Sequence, residues 1–391
     1  MRVGLVMSEY PSAGGHGGLA TYTYTLADAL ASLGHAVTLF QRAGVSTDPL
    51  DASVSVRTLH PHPVTGLHAR AFRFLFPEIA HERGCSAGLC AALEALRAAE
   101  GLDVVQVPEY NGLACGLAGA TVPVLVRFHT PAYLVDRLNG VRPSFRRKRW
   151  YAHERDALRH ARAFTVSSTA LKTEICAHYR LDPGRVQVIR NPVDGRLFHP
   201  VEEKRSGPVR ILFVGRLEKR KGADLLLRCV GALLRKNENM VFTFAGADPG
   251  GEAGRYRQAL LEAAGPFAGR LEFLGAVARH ALPSVYRSAD IFVLPSLFDN
   301  SPNALFEAQA SGLACVGTDT GGVNEMIVHE KTGLLFAPDS PQDFINKIER
   351  FLNHSDVRLE LGAAARTLVV EKHAPETIAR ETLEYYQRFT G

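Results

Sequence analysis

None of the six cysteines in this 391-residue chain forms a C-x-x-C pair. Cys85, Cys90, Cys115, Cys176, Cys229 and Cys315 are scattered. They read as small apolar residues of a reduced compartment, not as a disulfide framework. There is no Asp-x-Asp cluster and no His/Cys ligand set, so no metal is expected. The first apolar run, VGLVM at 3–7, stops at Ser8. That is too short for a signal peptide or a spanning helix. The chain is therefore expected to be cytoplasmic, with peripheral contact at the inner face of the cell membrane left open. Lysine is scarce, nine against 36 arginines. Arginine suits bidentate phosphate contacts, although a GC-rich genome gives the same bias. Net charge is only +5, which makes no case for nucleic acid. No repeat or low-complexity segment is evident.

What is present is a regular alternation. Short apolar runs lie at 3–7, 36–40, 104–107, 124–128, 163–166 and 186–189, with helical patterns between them at 20–33, 85–99 and 169–179. A second set follows at 210–214, 241–245, 271–274, 291–294 and 314–317, each run leading into a helical candidate. Strands that read as continuous apolar runs are buried on both faces, so each set predicts a parallel sheet covered by helices. The polar stretch HPVEEKRSGP at 199–208 reads as a linker. The expected organisation is an N-terminal domain at 1–198, the linker, a C-terminal domain at 209–372, and a last helix within 373–391 that packs back on the first domain.

Ligands of open parallel sheets bind beyond the carboxyl ends of the strands, where helix N-termini point. The residues after each strand are therefore the candidates. Gly14, Gly15, Gly17 and Gly18 precede a helix without forming the dinucleotide G-x-G-x-x-G pattern. They suit either a plain turn or close backbone approach to an anion or sugar. Arg216 and Lys221 flank a loop just before a helix that starts near Ala223. Two cations oppose a helix dipole there, and a bound diphosphate would neutralise both. Lys219 and Arg220 read as solvated. The stretch IFVLPSLFDNSPNALFEAQASG at 291–312 runs from a buried strand into a polar loop and then a helix. Ser301 is the expected N-cap and Pro302 the first helical residue. Glu307, in the first turns, either complements the dipole or accepts hydrogen bonds from a vicinal diol. His129 and Glu109 likewise follow strands, each with a structural reading beside a functional one.

Taken together, these stretches resemble the retaining glycosyltransferases of family four (glycosyl transferases group 1). The resemblance is carried by the Gly-rich loop with GHAVTL (34–39), RFHTP (127–131), SSTALK (167–172), IRNPVDGRLF (189–198), VGRLEKRKG (214–222), LEFLGAV (271–277) and the block 295–327. It implies an α/β fold of GT-B architecture: two doubly wound Rossmann-like domains facing a central cleft. It also implies a nucleoside-diphosphate sugar as co-substrate, a hydroxyl acceptor and no cofactor.

By the same resemblance, Arg216 and Lys221 hold the diphosphate, and Glu307 takes the ribose hydroxyls. Asp299 stands where the family usually has a glutamate near the donor sugar, one methylene longer. His129 reaches the donor sugar and reacting centre. Gly17, Gly18, Val277, Ser301, Asn303 and Ala304 complete the donor side, and Glu109 and Tyr110 face the acceptor. Transfer would be retaining and metal-independent. The alternative is a GT-B protein that binds nucleotide sugars, with epimerase activity or no catalysis. Between Arg137 and Arg162 lie nine basic and two acidic residues with Phe145, Trp150 and Tyr151 interleaved. That segment suits an anionic membrane, an acceptor phosphate or a solvated face.

Overall fold

The computed structural model describes residues 1–7, 17–42, 52–62, 73–201, 207–248 and 255–390. They divide into two compact units. The first runs to Pro192 and resumes at Pro375; the second spans Val193–Ala374. The division falls ahead of the polar stretch 199–208, because Val193 and Phe198 already lie in an apolar core of the second unit.

In the first unit seven described strands pair in parallel. They are β1 (Arg2–Met7), β2 (Ala36–Arg42), β3 (Val54–Leu59), β4 (Val104–Pro108), β5 (Val124–Phe128), β6 (Ala163–Val166) and β7 (Val186–Val188), in the order β3-β2-β1-β4-β5-β6-β7. Six coincide with apolar runs. β3 does not, because it is an edge strand with exposed Ser55, Val56 and Thr58 and so carries no continuous apolar signal. The helices are Gly18–Ser32, Pro77–Glu100 and Thr169–Tyr179 where the pattern gives 20–33, 85–99 and 169–179. The second begins early, at a proline suited to the first turn, and carries Glu82 into a buried ion pair with Arg42. The helix Pro375–Gln387 sets Ile378, Ala379, Leu383, Tyr385 and Tyr386 into this unit's core.

The second unit has six described strands: β8 (Val209–Val214), β9 (Met240–Ala245), β10 (Leu271–Gly275), β11 (Ile291–Leu294), β12 (Ala314–Thr318) and β13 (Leu334–Phe336). All pair in parallel, in the order β10-β9-β8-β11-β12-β13. β13, only three residues long, is too short to announce itself in sequence. The helix Ala223–Lys236 packs a stripe of Leu225, Leu226, Cys229, Val230, Leu233 and Leu234 into the core.

Strand order reverses between β1 and β4 in one sheet and between β8 and β11 in the other. Loops leaving the carboxyl ends of such neighbours diverge to opposite faces and open a crevice there. The sequence candidates lie after β1, β4, β5, β8, β10 and β11.

Candidate functional site

In the second unit the loops after β8 and β11 are locked together. Gly222 has φ +86°, and a Cβ on it would sit 2.0 Å from the carbonyl oxygen of Pro295. Only glycine fits both the left-handed backbone and the close approach. The N–H of Leu297 donates to the carbonyl of Arg220 over 2.9 Å. Arg220 itself is buried and pairs with Glu218 at 2.8 Å. The solvated reading of Arg220 is thus corrected: its guanidinium is taken up inside the loop it helps to shape. Arg216 has 55% of its side chain exposed and pairs with Glu218 at 3.3 Å.

Lys221 reaches across to the other loop. Its Nζ donates to Oδ2 of Asp299 over 2.5 Å, and Ser296 Oγ donates to the same oxygen over 3.2 Å. Burial alone would raise the Asp299 pKa, but the charges of Lys221 and Arg220 outweigh it and hold the carboxyl below its ordinary value. Burial pushes Lys221 down, and Asp299 opposes that shift. The Asp299 carbonyl accepts from Gly322 N–H at 2.7 Å, which anchors the polar loop from its far side.

The next helix is Asn303–Ala310. Pro302 occupies its cap position in an extended conformation, and no side chain caps it. Ser301 is therefore not the N-cap, because it sits one residue too early. Glu307 is buried in this helix, and the hydroxyl of Tyr286 donates to its Oε2 over 2.8 Å. Burial raises the Glu307 pKa, while the Tyr286 bond and the charge of Arg279 pull it back. Val277 and Ala304 pack against the apolar cluster that contains Tyr286, Leu305 and Phe306.

The first unit carries its own polar edge. His129 follows β5, edge-on to Tyr22 with ring centroids 5.5 Å apart. Burial, then the charge of Arg127, pushes its pKa down to about 3, so its imidazole is neutral at ordinary pH. Arg127 is 1% exposed. Its guanidinium donates to the Ile189 carbonyl and to Asn191 Oδ1, at 2.9 and 2.8 Å, and lies 3.9 Å from the Tyr22 ring centroid.

Glu109, after β4, is 3% exposed, with the backbone amides of His129 and Thr130 facing its carboxylate. Burial pushes its pKa up to about 8; the backbone amide of His129 opposes this and the charge of Glu154 adds to it. Glu154 is raised to about 7 by burial, against hydrogen bonds from Trp150 Nε1 and the Ala132 amide. Tyr110 is exposed. Gly17 caps the helix Gly18–Ser32 in an extended conformation, and both glycines are exposed. Gly14 and Gly15 lie outside the described residues.

Arg216, Lys221, Asp299, Ser301, Asn303 and Glu307 thus share the carboxyl edge of the second sheet, while His129, Glu109, Tyr110, Gly17 and Gly18 belong to the first unit. Tyr286 and Arg127 carry no sequence signal, since each matters through a partner far along the chain; Ser296 and Glu154 have near neighbours as partners but stand in no pattern that marks them.

Comparison with known proteins agrees with this architecture. A family model for glycosyl transferases group 1 matches residues 195–368, and one for glycosyltransferase family 4 matches 16–196. D-inositol 3-phosphate glycosyltransferase of Paenarthrobacter aurescens is 26% identical over 97% of this chain and 95% of its own. The protein of the same name from Frankia alni is 28% identical over 91% of each chain. Among solved structures, sucrose-phosphate synthase from Thermosynechococcus elongatus has a TM-score of 0.79 at 21% identity, covering 99% of this chain and 98% of that one. Anabaena HepE in complex with UDP-glucose has a TM-score of 0.72 at 16% identity, covering 99% and 100%.

Proposed function

Because this chain belongs to the family 4 glycosyltransferases of GT-B architecture, we propose that it moves a sugar from a nucleoside-diphosphate donor to a hydroxyl acceptor, with retention and without a metal. One observation carries the reading. Two cations, Arg216 and Lys221, stand at the carboxyl edge of β8, tied by Lys221–Asp299 to the loop that leads into the helix Asn303–Ala310. Glu307 lies farther along that helix, buried yet poised to accept hydrogen bonds. Cations and a helix N-terminus suit a diphosphate, and the carboxylate suits the ribose hydroxyls. HepE, which has the same fold, is a UDP-glucose complex.

The chemistry follows from those charges. As the bond from the anomeric carbon to the diphosphate breaks, its electron pair goes to the leaving phosphate oxygen. Arg216, Lys221 and the helix N–H groups stabilise that charge. The acceptor hydroxyl attacks from the face the phosphate leaves, and its proton passes to the phosphate oxygen. The products are a glycoside of unchanged configuration and a nucleoside diphosphate. Fixed cations supply what a metal would otherwise supply. We assign Asp299, Ser301, Asn303, Ala304, Val277, Gly17 and Gly18 to the donor, His129 to the reacting centre as a neutral hydrogen-bonding group, and Glu109 and Tyr110 to the acceptor. The reading of a binder without catalysis rests on the shortened acid at Asp299. The bond from Asp299 to Lys221 favours a working site instead.

A screen of nucleotide sugars by thermal shift would identify the donor, since a ligand at ~100 times its dissociation constant adds ~2.7 kcal/mol. Proton NMR of the product in excess EDTA then tests the mechanism. An inverted product, or complete loss of turnover with chelator, overturns it. Arg216→Ala should lower kcat/KM by about tenfold to a hundredfold with the melting temperature unchanged, as expected for a charge-assisted hydrogen bond.

We also assign the basic segment of the first unit to an anionic membrane surface. Phe145 is 71% exposed and Phe74 83%, with Leu75 and Val141 also exposed. Among the described residues no carboxylate pairs with Arg142, Arg146, Lys148 or Arg149. Three of these lie in the first turns of the helix Phe145–Ala157, where cations oppose the dipole and an external anion relieves them. Among the described residues no helix is long and apolar enough to cross a membrane.

A further inference from the structure

Glu307 is surrounded along its helix by Leu305, Phe306 and Ala308, all buried. The torsion that turns a glutamate carboxylate is broad and two-fold. Packing of the aliphatic stem therefore leaves open which way the oxygens face. The hydroxyl of Tyr286 fixes it by donating to Oε2 over 2.8 Å. The phenol ring is itself held: Phe198 meets it edge-on at 5.6 Å between centroids, and Phe292 lies tilted at 6.2 Å. Tyr286 is completely buried. Burial beside Glu307 pushes its pKa well up, so the hydroxyl stays a donor at any working pH. A phenylalanine would fill the same aromatic pocket, and what tyrosine adds is this one bond.

We propose that Tyr286 is a positioning residue for nucleotide recognition: by occupying Oε2 it turns the other oxygen of Glu307 toward the ligand and makes the site select ribose over deoxyribose. The inference rests on the reading that Glu307 receives the ribose. An ionised carboxylate accepts hydroxyl hydrogen bonds more strongly than a protonated one, which would also present a competing donor. Burial works against ionisation, while the Tyr286 hydroxyl and the Arg279 charge support it. The other groups around this helix are Cys315 on β12, kept a neutral thiol by burial, Arg366, which donates to the Ala310 carbonyl, and His373, whose ring lies 4.3 Å from that of Phe306. The phenol is therefore both the geometric stop and a source of ionisation for Glu307.

The experiment compares three proteins: the parent chain, Tyr286→Phe and Glu307→Gln. Each is titrated calorimetrically with UDP, GDP and ADP and with their 2′-deoxy forms, from pH 5 to pH 8. The parent should prefer its ribonucleotide over the deoxy form by roughly tenfold or more, the worth of a hydrogen bond to a charged group. Glu307→Gln should abolish that preference. Tyr286→Phe should lose most of it while melting within a few degrees of the parent. Its remaining preference should fade at a higher pH than the parent's, because the freed carboxylate takes up a proton more readily. A purely structural tyrosine would move the melting temperature and leave both the preference and its pH profile alone. If Glu307→Gln loses the preference and Tyr286→Phe keeps it, the positioning role is wrong and the ribose reading stands. If the parent shows no preference, or Glu307→Gln retains it, the ribose reading fails and the inference with it. Should Tyr286→Phe melt early, its titrations are repeated at a temperature where the folded form persists. A preference lost there, together with the shifted pH profile, supports the positioning role, and a preference kept there overturns it.

Discussion

Lys221 and Asp299 are 78 residues apart in sequence, yet Nζ and Oδ2 are 2.5 Å apart in the fold. Both are largely shielded from water, so each fixes the other's charge and direction. Asp299 therefore has a task besides any contact with a donor sugar: it aims the ammonium. Asp299→Asn should weaken binding of the bare nucleoside diphosphate by about tenfold, because the lysine loses a charge-assisted partner. Dissociation constants for nucleotide and nucleotide sugar, measured side by side, separate the two tasks. Equal losses identify the aiming role. A loss confined to the nucleotide sugar means that Asp299 acts on the sugar alone.

Gly222 is where the two loops touch, its would-be Cβ 2.0 Å from the Pro295 oxygen. Gly222→Ala should cost at least about 2 kcal/mol, from strain at positive φ together with the displaced contact. The urea midpoint should fall accordingly. Donor affinity should fall too, since Lys221 and Asp299 would be moved apart. A variant as stable as the parent would mean that the loops separate freely.

Glu109 should make the chain less stable as pH rises. Its pKa is about 8 in the fold against an ordinary 4.5. Between those values the unfolded chain releases the proton and the folded chain keeps it. Stability then falls with rising pH by up to ~1.4 kcal/mol per unit, and levels off above about 8. Glu109→Gln removes this term. Its stability relative to the parent should grow from pH 5 to pH 8 and then stay constant. A gap that does not change with pH would show Glu109 ionised in the fold.

The first unit should sediment with phosphatidylcholine vesicles that contain phosphatidylglycerol, and not with pure phosphatidylcholine. The attachment should weaken with salt, since exposed charges are screened beyond ~8 Å at physiological ionic strength. Replacing Arg142, Arg146, Lys148 and Arg149 with Gln should abolish it. Phe74→Ser with Phe145→Ser should weaken it at every salt concentration. Arg147 is left in place because it is bound to Asp136, with Tyr151 on the same carboxylate. No attachment at low salt would leave this face simply solvated.

The sequence determined the two sheets and the edges at which function resides. Eleven strands announced themselves as apolar runs, and those covered on both faces, such as β4, β5, β11 and β12, did so because a strand buried on both sides tolerates no polar alternation. Polar residues just after those runs, such as Arg216, Lys221, Asp299 and His129, stood out for the same reason. The tertiary structure decided what the runs could not show. β3 is half exposed at an edge, and β13 is three residues long, so neither carries a pattern. Arg220 looked solvated because nothing in KRK marks the one side chain that turns inward to Glu218. The pairs Lys221–Asp299 and Tyr286–Glu307 join residues whose separation in sequence bears no relation to their distance in space. A hydrogen bond needs two atoms within about 3 Å, and only strand order and helix packing bring them there.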